Sequence, residues 1–247
     1  MKKSFFSFLL AVLFVPMAGY SQNDCCYDDI VKSLDEYVEQ VKRDWRIPGM
    51  AFSVIKDGNV VLSKGYGVNV MGGDSKVEEN TIFQIGSVSK SFTAAVMASI
   101  VDEGLVSWSD TVKNILPDFD WKDNYVEENM LVQDLMTHKT GIGGQVGTYI
   151  PNLGYDRDDV YKMMGLITPK YQFRNTYAYN NITFIIAAKV IEKVTGKSWE
   201  ENVHSRILEP LGMTSTSVNG EGSEIENGFA DAGAKASTPH EFYYVKD

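Results

Sequence analysis

Thr81-Ile82-Phe83-Gln84-Ile85-Gly86-Ser87-Val88-Ser89-Lys90 is the stretch on which the reading of this sequence turns. From residue 86 to residue 103, Val88, Phe92, Ala95, Val96 and Ser99 recur at steps of three and four. That is the spacing of one side of a helix, and Gly104 can close its C-terminus. On such a helix Ser87 and Lys90 lie one turn apart on the same face, so a hydroxyl meets an amine. Serine is a weak nucleophile until something takes its proton. A lysine can take it only when desolvation or nearby positive charge has weakened its own hold on a proton, so the pair implies a partly buried cleft. Ser-x-x-Lys is a frequent pattern by itself, and its weight comes from the sequence on either side.

Upstream, residues 28–45 place Ile30, Val31, Leu34, Tyr37, Val38 and Val41 on one face of an amphipathic helix, which Ile47-Pro48-Gly49 stops. Residues 50–55 and 60–66 are β-rich runs joined by Lys56-Asp57-Gly58-Asn59, whose Asp-Gly pair signals a hairpin. Downstream, a short helix is expected over 131–138, ending near Gly141, and another over 182–194, with Gly196 as its C-cap. Residues 81–211 are therefore helices and loops, followed by a stretch rich in Gly, Ser and Asn over 213–228. There is no internal repeat.

Several segments occur together in a telling order: Ile47-Pro48-Gly49-Met50, Asp57-Gly58, Lys64-Gly65-Tyr66-Gly67, then the stretch ending at Ser87. Asp134-Leu135-Met136-Thr137-His138-Lys139-Thr140-Gly141, Asn181, residues 192–196 and Pro210-Leu211-Gly212-Met213 follow. This succession, over roughly residues 47–216, resembles the serine β-lactamase and penicillin-binding protein family, in particular the class C β-lactamase-related serine hydrolases. The resemblance implies an α/β (α+β) fold, β-lactamase/transpeptidase-like, with an antiparallel sheet flanked by helices and a mostly helical lobe. It makes Ser87 the nucleophile and Lys90 its activating partner. Tyr179-Asn180-Asn181 matches the family's Tyr-x-Asn element when Phe184-Ile185-Ile186 is aligned with the positions after it; Tyr177-Ala178-Tyr179 is the competing register and lacks the Asn. Tyr179 would then serve as general base toward Ser87, and Asn181 would offer an amide to the substrate carbonyl or to Lys90.

Other residues near these motifs read more plainly. Lys139-Thr140-Gly141 spells the family's third motif, but it precedes Tyr179 and follows a helix, so it reads as a turn in which Gly141 supplies a positive φ. Gln145 falls near, though not at, the family's position for a substrate-contacting Gln. Asp102 and Glu103 read as solvated charges at a helix end, and His138 reads as structural. After Tyr179 there is no Lys-Thr-Gly, Lys-Ser-Gly or His-x-Gly; His204 and His240 lack a glycine two positions on. By resemblance the remaining sheet strands would follow Asp247, so a C-terminally truncated chain is expected. Its hairpin would expose an apolar face and an unpaired edge, and it would fold poorly and be inactive where a longer parent is active.

Composition bounds the rest. The chain has 247 residues, 44% of them hydrophobic, enough for a sizeable core in one domain. Residues 1–21 open with Lys2 and Lys3, continue through an apolar run from Phe5 to Val15 and end in Ala18-Gly19-Tyr20-Ser21, as a secretory signal peptide does. The run is shorter than the ~20 residues that span a bilayer. The expected organisation is a leader over 1–21 and a single, C-terminally incomplete domain over 22–247: first helix and strands over 22–79, helical lobe over 80–211, loop-rich segment over 212–247. The mature protein would then be periplasmic or secreted, with no stable membrane span. Cys25 and Cys26 are adjacent and form no disulfide framework; the three histidines lack metal-ligand spacing, so neither metal nor cofactor is expected. A formal net charge of −10 disfavours nucleic-acid partners.

The function that follows is an exported serine hydrolase acting through an acyl-enzyme on an amide or ester. A small molecule or peptide would be the substrate: a β-lactam, a D-alanyl peptide, a small ester or another D-amino-acid peptide. The alternatives are a non-catalytic peptidoglycan- or peptide-binding protein on the same fold, or an inactive fragment.

Overall fold

The computed structural model describes residues 24–69, 71–78, 81–83, 85–150 and 153–218. The leader expected over 1–21, most of the loop-rich segment expected over 212–247, and His240 lie outside the described residues.

Helix α1 (Asp24–Asp44) leads into an antiparallel hairpin of β1 (Gly49–Lys56) and β2 (Asn59–Gly67). The Asp-Gly signal acts as expected: Asp57 and Gly58 have φ of 52° and 78°, both positive, which matches the turn to the right-handed twist of the strands. Register runs from Lys56 opposite Asn59 to Gly49 opposite Gly67, with a bulge between Val54 and Ile55.

Strand alternation gives the hairpin two unlike faces. Met50, Phe52 and Val54 stand opposite Tyr66, Lys64 and Leu62, and of these six all but the exposed Lys64 are wholly or partly buried. Helix α1 packs along this side. Asp35 accepts hydrogen bonds from Lys64 Nζ, at 2.8 and 2.9 Å, and from Tyr66 Oη, at 2.6 Å. The Lys64 bond, then the Tyr66 bond, holds the Asp35 carboxyl below its ordinary range, while burial and then Asp35 push the Tyr66 phenol well above its own. The opposite face carries exposed Ala51, Ser53 and Ser63, the two serine hydroxyls 3.0 Å apart. This corrects the expectation of an exposed apolar face. The apolar side lies against α1, the open side is small and polar, and only Ile55 and Val60 at the tip are large and exposed. Among the described residues the sheet has these two strands alone. Helix α1 also buries a narrower stripe than its pattern suggests: Val31, Leu34, Val38 and Val41 turn inward, whereas Ile30 and Tyr37 face water.

The core lies in the helical lobe, formed by α2 (Ser89–Asp102), α3 (Val112–Ile115), α4 (Asn124–Asn129), a 3-10 turn (Val132–Met136), α5 (Arg157–Lys162), α6 (Thr183–Thr195), α7 (Trp199–Val203) and a π-helical turn (His204–Leu208). Its centre is α6, which buries Phe184, Ile185, Ile186, Ala187, Ala188, Val190 and Ile191. A helix apolar on nearly every side has to be surrounded, and α2, α3, α5, α7 and the 3-10 turn pack around this one. Gly104 and Gly196 close α2 and α6 as expected. Residues 131–138 form only the short 3-10 turn, because His138 itself adopts φ 57° and ends the helical path.

Helix α2 presents a different face from the one its apolar spacing suggests. It buries Ser89, Lys90, Thr93, Val96, Met97 and Ile100, while Val88 is 59% exposed and Ala95 faces solvent. Thr93 is fully buried because its hydroxyl accepts the Trp199 indole N–H at 3.1 Å, which ties α2 to α7. Glu103 is likewise more than a solvated charge. It receives Arg206 through two bonds of 2.5 and 2.9 Å, fastening the end of α2 to the π-helical turn.

Gly67 marks the tightest point of the hairpin. Its φ is +78°, and a Cβ placed there would run into the carbonyl oxygen of Pro48, the acceptor for Val68 N–H. Gly58 has the same φ but open space around it. Gly58→Ala is expected to cost about 1–2 kcal/mol from backbone conformation alone. Gly67→Ala should cost distinctly more, read as the larger drop in urea midpoint.

Candidate active site

The site begins where the chain enters α2. Gly86, at φ 47°, turns the backbone into a 3-10 turn (Gly86–Val88), and Ser89 Oγ donates back to Gly86 O at 2.7 Å. Ser87 is left exposed at the head of the helix while Lys90, one turn on, is only 9% exposed. Lys90 Nζ donates to Ser87 Oγ at 3.1 Å. The local spacing of the pair therefore produces the partly buried contact that the sequence implied.

Tyr179 arrives from a loop 92 residues further along and donates its phenol to Ser87 Oγ at 2.6 Å. Lys90 Nζ stands 4.8 Å from the Tyr179 ring centroid and 5.5 Å from that of Phe184 on α6. One serine oxygen thus receives a lysine and a tyrosine, with two aromatic faces lining the lysine. Of the two registers open in the sequence, Tyr179 is the tyrosine at the serine. Tyr177 is 63% exposed and meets His138 edge-on at 5.7 Å.

A backbone seam positions Tyr179. Lys170 and Tyr171 N–H donate to Gly141 O, Arg174 N–H to Lys139 O and Ala178 N–H to His138 O. Asp134 and Arg174 add a two-point ion pair at 2.6 and 3.0 Å. Lys139-Thr140-Gly141 is thus a turn, as expected. Gly141 has φ 91°, and a Cβ there would come within 2.6 Å of Tyr171 O. The His138 ring stacks on Tyr179 at 4.5 Å between centroids, and its Nδ1 accepts the Asn180 N–H at 3.2 Å. Burial, and then the charge of Lys90, hold this imidazole below its ordinary range.

The two asparagines after Tyr179 do different things. Asn181 is 2% exposed; its amide nitrogen donates to Thr148 Oγ1 at 3.4 Å, and among the described residues its Oδ1 has no hydrogen-bond partner. Asn180, the unspecified middle position of Tyr-x-Asn, donates to Gly143 O and Val146 O at 3.0 Å each and accepts Ile182 N–H at 2.9 Å. It pins the 143–146 loop beneath Tyr179 and caps the approach to α6. Gln145 lies on that loop, exposed, at φ 67°. Phe184, which follows the Tyr-x-Asn element in the alignment, lies on α6 and faces Lys90. Among the described residues no group of His, Cys, Asp and Glu could hold a metal ion.

A family model described as Beta-lactamase matches residues 34–241. The chain is 31% identical over 219 residues to unguisins hydrolase ungD' of Aspergillus campestris, covering 82% of this chain and 40% of that protein. It is 24% identical over 214 residues to Protein flp of Staphylococcus aureus, covering 86% and 43%. Among solved structures it resembles the octameric penicillin-binding protein homologue from Pyrococcus abyssi, at TM-score 0.63 and 30% identity over 74% of this chain and 43% of that one. It also resembles FmtA from Staphylococcus aureus, at TM-score 0.64 and 27% identity over 81% and 53%. The chain spans less than half the length of these curated relatives.

Removing the Asn180 side chain orphans the buried Gly143 carbonyl, the part-buried Val146 carbonyl and the Ile182 N–H. Asn180→Ala is expected to destabilise the protein by about 2–3 kcal/mol. The check is equilibrium unfolding in urea; an unchanged midpoint would show that these bonds carry nothing.

Proposed function

Since this chain belongs to the β-lactamase family and has its mixed α/β, β-lactamase/transpeptidase-like fold, we propose that it is an exported serine hydrolase that works through an acyl-enzyme on Ser87. The observation that carries this reading is the meeting of Tyr179 Oη, at 2.6 Å, and Lys90 Nζ, at 3.1 Å, on the same Ser87 oxygen. A buried structural tyrosine has no use for a nucleophile-and-amine partner of this kind.

Chemically, once its own proton has passed to solvent, the Tyr179 phenol oxygen accepts the Ser87 proton as Oγ attacks the substrate carbonyl carbon. A C–O bond forms and the carbonyl π pair moves to oxygen. Collapse of that tetrahedral species breaks the bond to the leaving nitrogen or oxygen, which takes the proton back from Tyr179 and leaves an ester on Ser87. A water then repeats the sequence, giving its proton to Tyr179 and releasing the acid. Lys90, held between the Tyr179 and Phe184 rings, stabilises the charge that appears on the phenol and serine oxygens. The first turn of a helix has N–H groups without intrahelical partners, and the Ser87 N–H there is a natural donor to the developing oxyanion. Asn181 remains the proposed amide for the substrate carbonyl or for Lys90. It is 2% exposed, its amide nitrogen is held by Thr148, and among the described residues its Oδ1 has no partner, which leaves that oxygen for a donor.

Hydrolysis of an amide or ester is favoured because one relative is named a hydrolase and one neighbour a penicillin-binding protein homologue. The candidate substrates are β-lactams, D-alanyl peptides, small esters and D-amino-acid peptides. Export to the periplasm or the medium is supported by the leader-like residues 1–21, with 22–247 as one domain. No helix among the described residues is long and apolar enough to cross a membrane.

Labelling of the full-length protein with a fluorophosphonate tests the reading. The wild type should label and Ser87→Ala should not, while Tyr179→Phe and Lys90→Ala should label about 100- to 10,000-fold more slowly. Tyr179→Phe keeps the ring on His138, so its unfolding midpoint should stay near wild type. A folded wild-type protein that refuses both a phosphonate and a fluorescent penicillin would overturn the hydrolase and favour a binding protein.

A further inference from the structure

The two backbone N–H groups that flank Tyr179 both end on one residue. Ala178 N–H donates to His138 O at 2.8 Å, and Asn180 N–H donates to His138 Nδ1 at 3.2 Å. Between these two bonds the imidazole lies over the phenol ring, 4.5 Å between centroids and 34° between planes, with Phe184 on α6 at 5.5 Å. His138 reaches this position with φ at 57°, in the left-handed region that most side chains avoid. A non-glycine residue held there beside a reactive centre is the kind of local strain that surrounding contacts must maintain.

We infer that His138 is a positioning residue for the reaction proposed above: its neutral imidazole, accepting through Nδ1, clasps residues 178–180 and holds the Tyr179 hydroxyl on Ser87. This inference rests on that reading for its chemistry but not for its geometry. An imidazole that accepts at Nδ1 must carry its proton on Nε2. Protonation of Nδ1 would set an N–H against the Asn180 N–H and place a second positive charge near Lys90. The groups that face the ring are Lys90 from α2, the Tyr177 and Tyr179 rings and the Asn180 N–H from the loop, and Phe184 from α6. None of these is a carboxylate that would favour imidazolium, and burial and Lys90 both oppose it. Because the folded-state proton affinity is lowered, the clasp is intact at neutral pH and above. It is lost as pH falls below the ordinary histidine range and through the lowered folded value.

Two measurements test this. Nitrogen-15 NMR of the wild type should show His138 as the Nε2–H tautomer at neutral pH, and the Asn180 amide should be protected from hydrogen exchange. An Nδ1–H tautomer, or imidazolium at neutral pH, would overturn the inference whether or not the protein is a hydrolase. Kinetics of fluorophosphonate labelling then compare three substitutions. His138→Gly keeps the positive φ but loses ring and acceptor, and should slow covalent labelling about 100-fold, as a misplaced catalytic group does. His138→Phe keeps a ring without the acceptor and should be slowed as well. His138→Asn tolerates the positive φ and offers Oδ1 near the Nδ1 position, and should recover most of the rate. If the wild type labels and all three substitutions label at its rate, the positioning role is wrong while the hydrolase stands. If the wild type does not label, the hydrolase fails, and the NMR result still decides the clasp.

Discussion

Everything at the site depends on the burial of α6 against α2. From Phe184 to Ala188 α6 carries only apolar residues, and a helix of that composition is stable only when neighbours cover it. Its N-terminus follows Tyr179-Asn180-Asn181 directly, and the 3-10 turn leading into α2 carries Ser87, with Lys90 at the start of α2. Packing two hydrophobic helices therefore brings together residues that lie 92 apart in sequence. The hydrophobic effect supplies the approach without specifying direction. The last few ångströms are set by polar contacts: Trp199 on Thr93, Asn180 on the 143–146 loop, and the seam between residues 138–141 and 170–180.

That seam replaces regular secondary structure with backbone pairing between two irregular segments. Two non-glycine residues within it are at positive φ, His138 at 57° and Arg174 at 61°. Asp134, largely buried, would be costly to leave unpaired, and the Arg174 guanidinium meets it with two bonds. The pair thus fixes the far end of the segment that delivers Tyr179. Rigidity in a loop of this kind is what a proton-transferring phenol requires, because small displacements of a catalytic group cost large factors in rate.

The parts of this arrangement that were legible in the sequence are the local ones. Asp57-Gly58 gave the hairpin because only such residues accept two positive φ values in succession. Ser87 and Lys90 meet because three residues make a helical turn. Tyr179 was legible only through the order of motifs around it, since no local rule links it to Ser87. The inward face of α2 was not legible from apolar spacing: three of its six buried residues, Ser89, Lys90 and Thr93, are polar and are held by partners distant in sequence or by the site itself. The same cause hid the pairing of Glu103 with Arg206, 103 residues away, and the three-way bonding of Asn180. His138 was read as structural. Its contact with both neighbours of Tyr179 depends on a backbone angle that the sequence does not announce. The hairpin was placed correctly, but its faces were not, because Lys64 and Tyr66 line the side beneath α1 by bonding Asp35.

The central claim is that Ser87 is the oxygen that becomes acylated while Tyr179 and Lys90 attend it. A crystal structure of the protein with a bound arylboronic acid tests it most directly, since boron adds to an activated serine as a carbonyl would. The expected result is a tetrahedral boronate on Ser87 Oγ, with Tyr179 Oη and Lys90 Nζ still within hydrogen-bond distance of that oxygen. A boronate on another residue, or an adduct on Ser87 with the Tyr179 hydroxyl turned away, would contradict it.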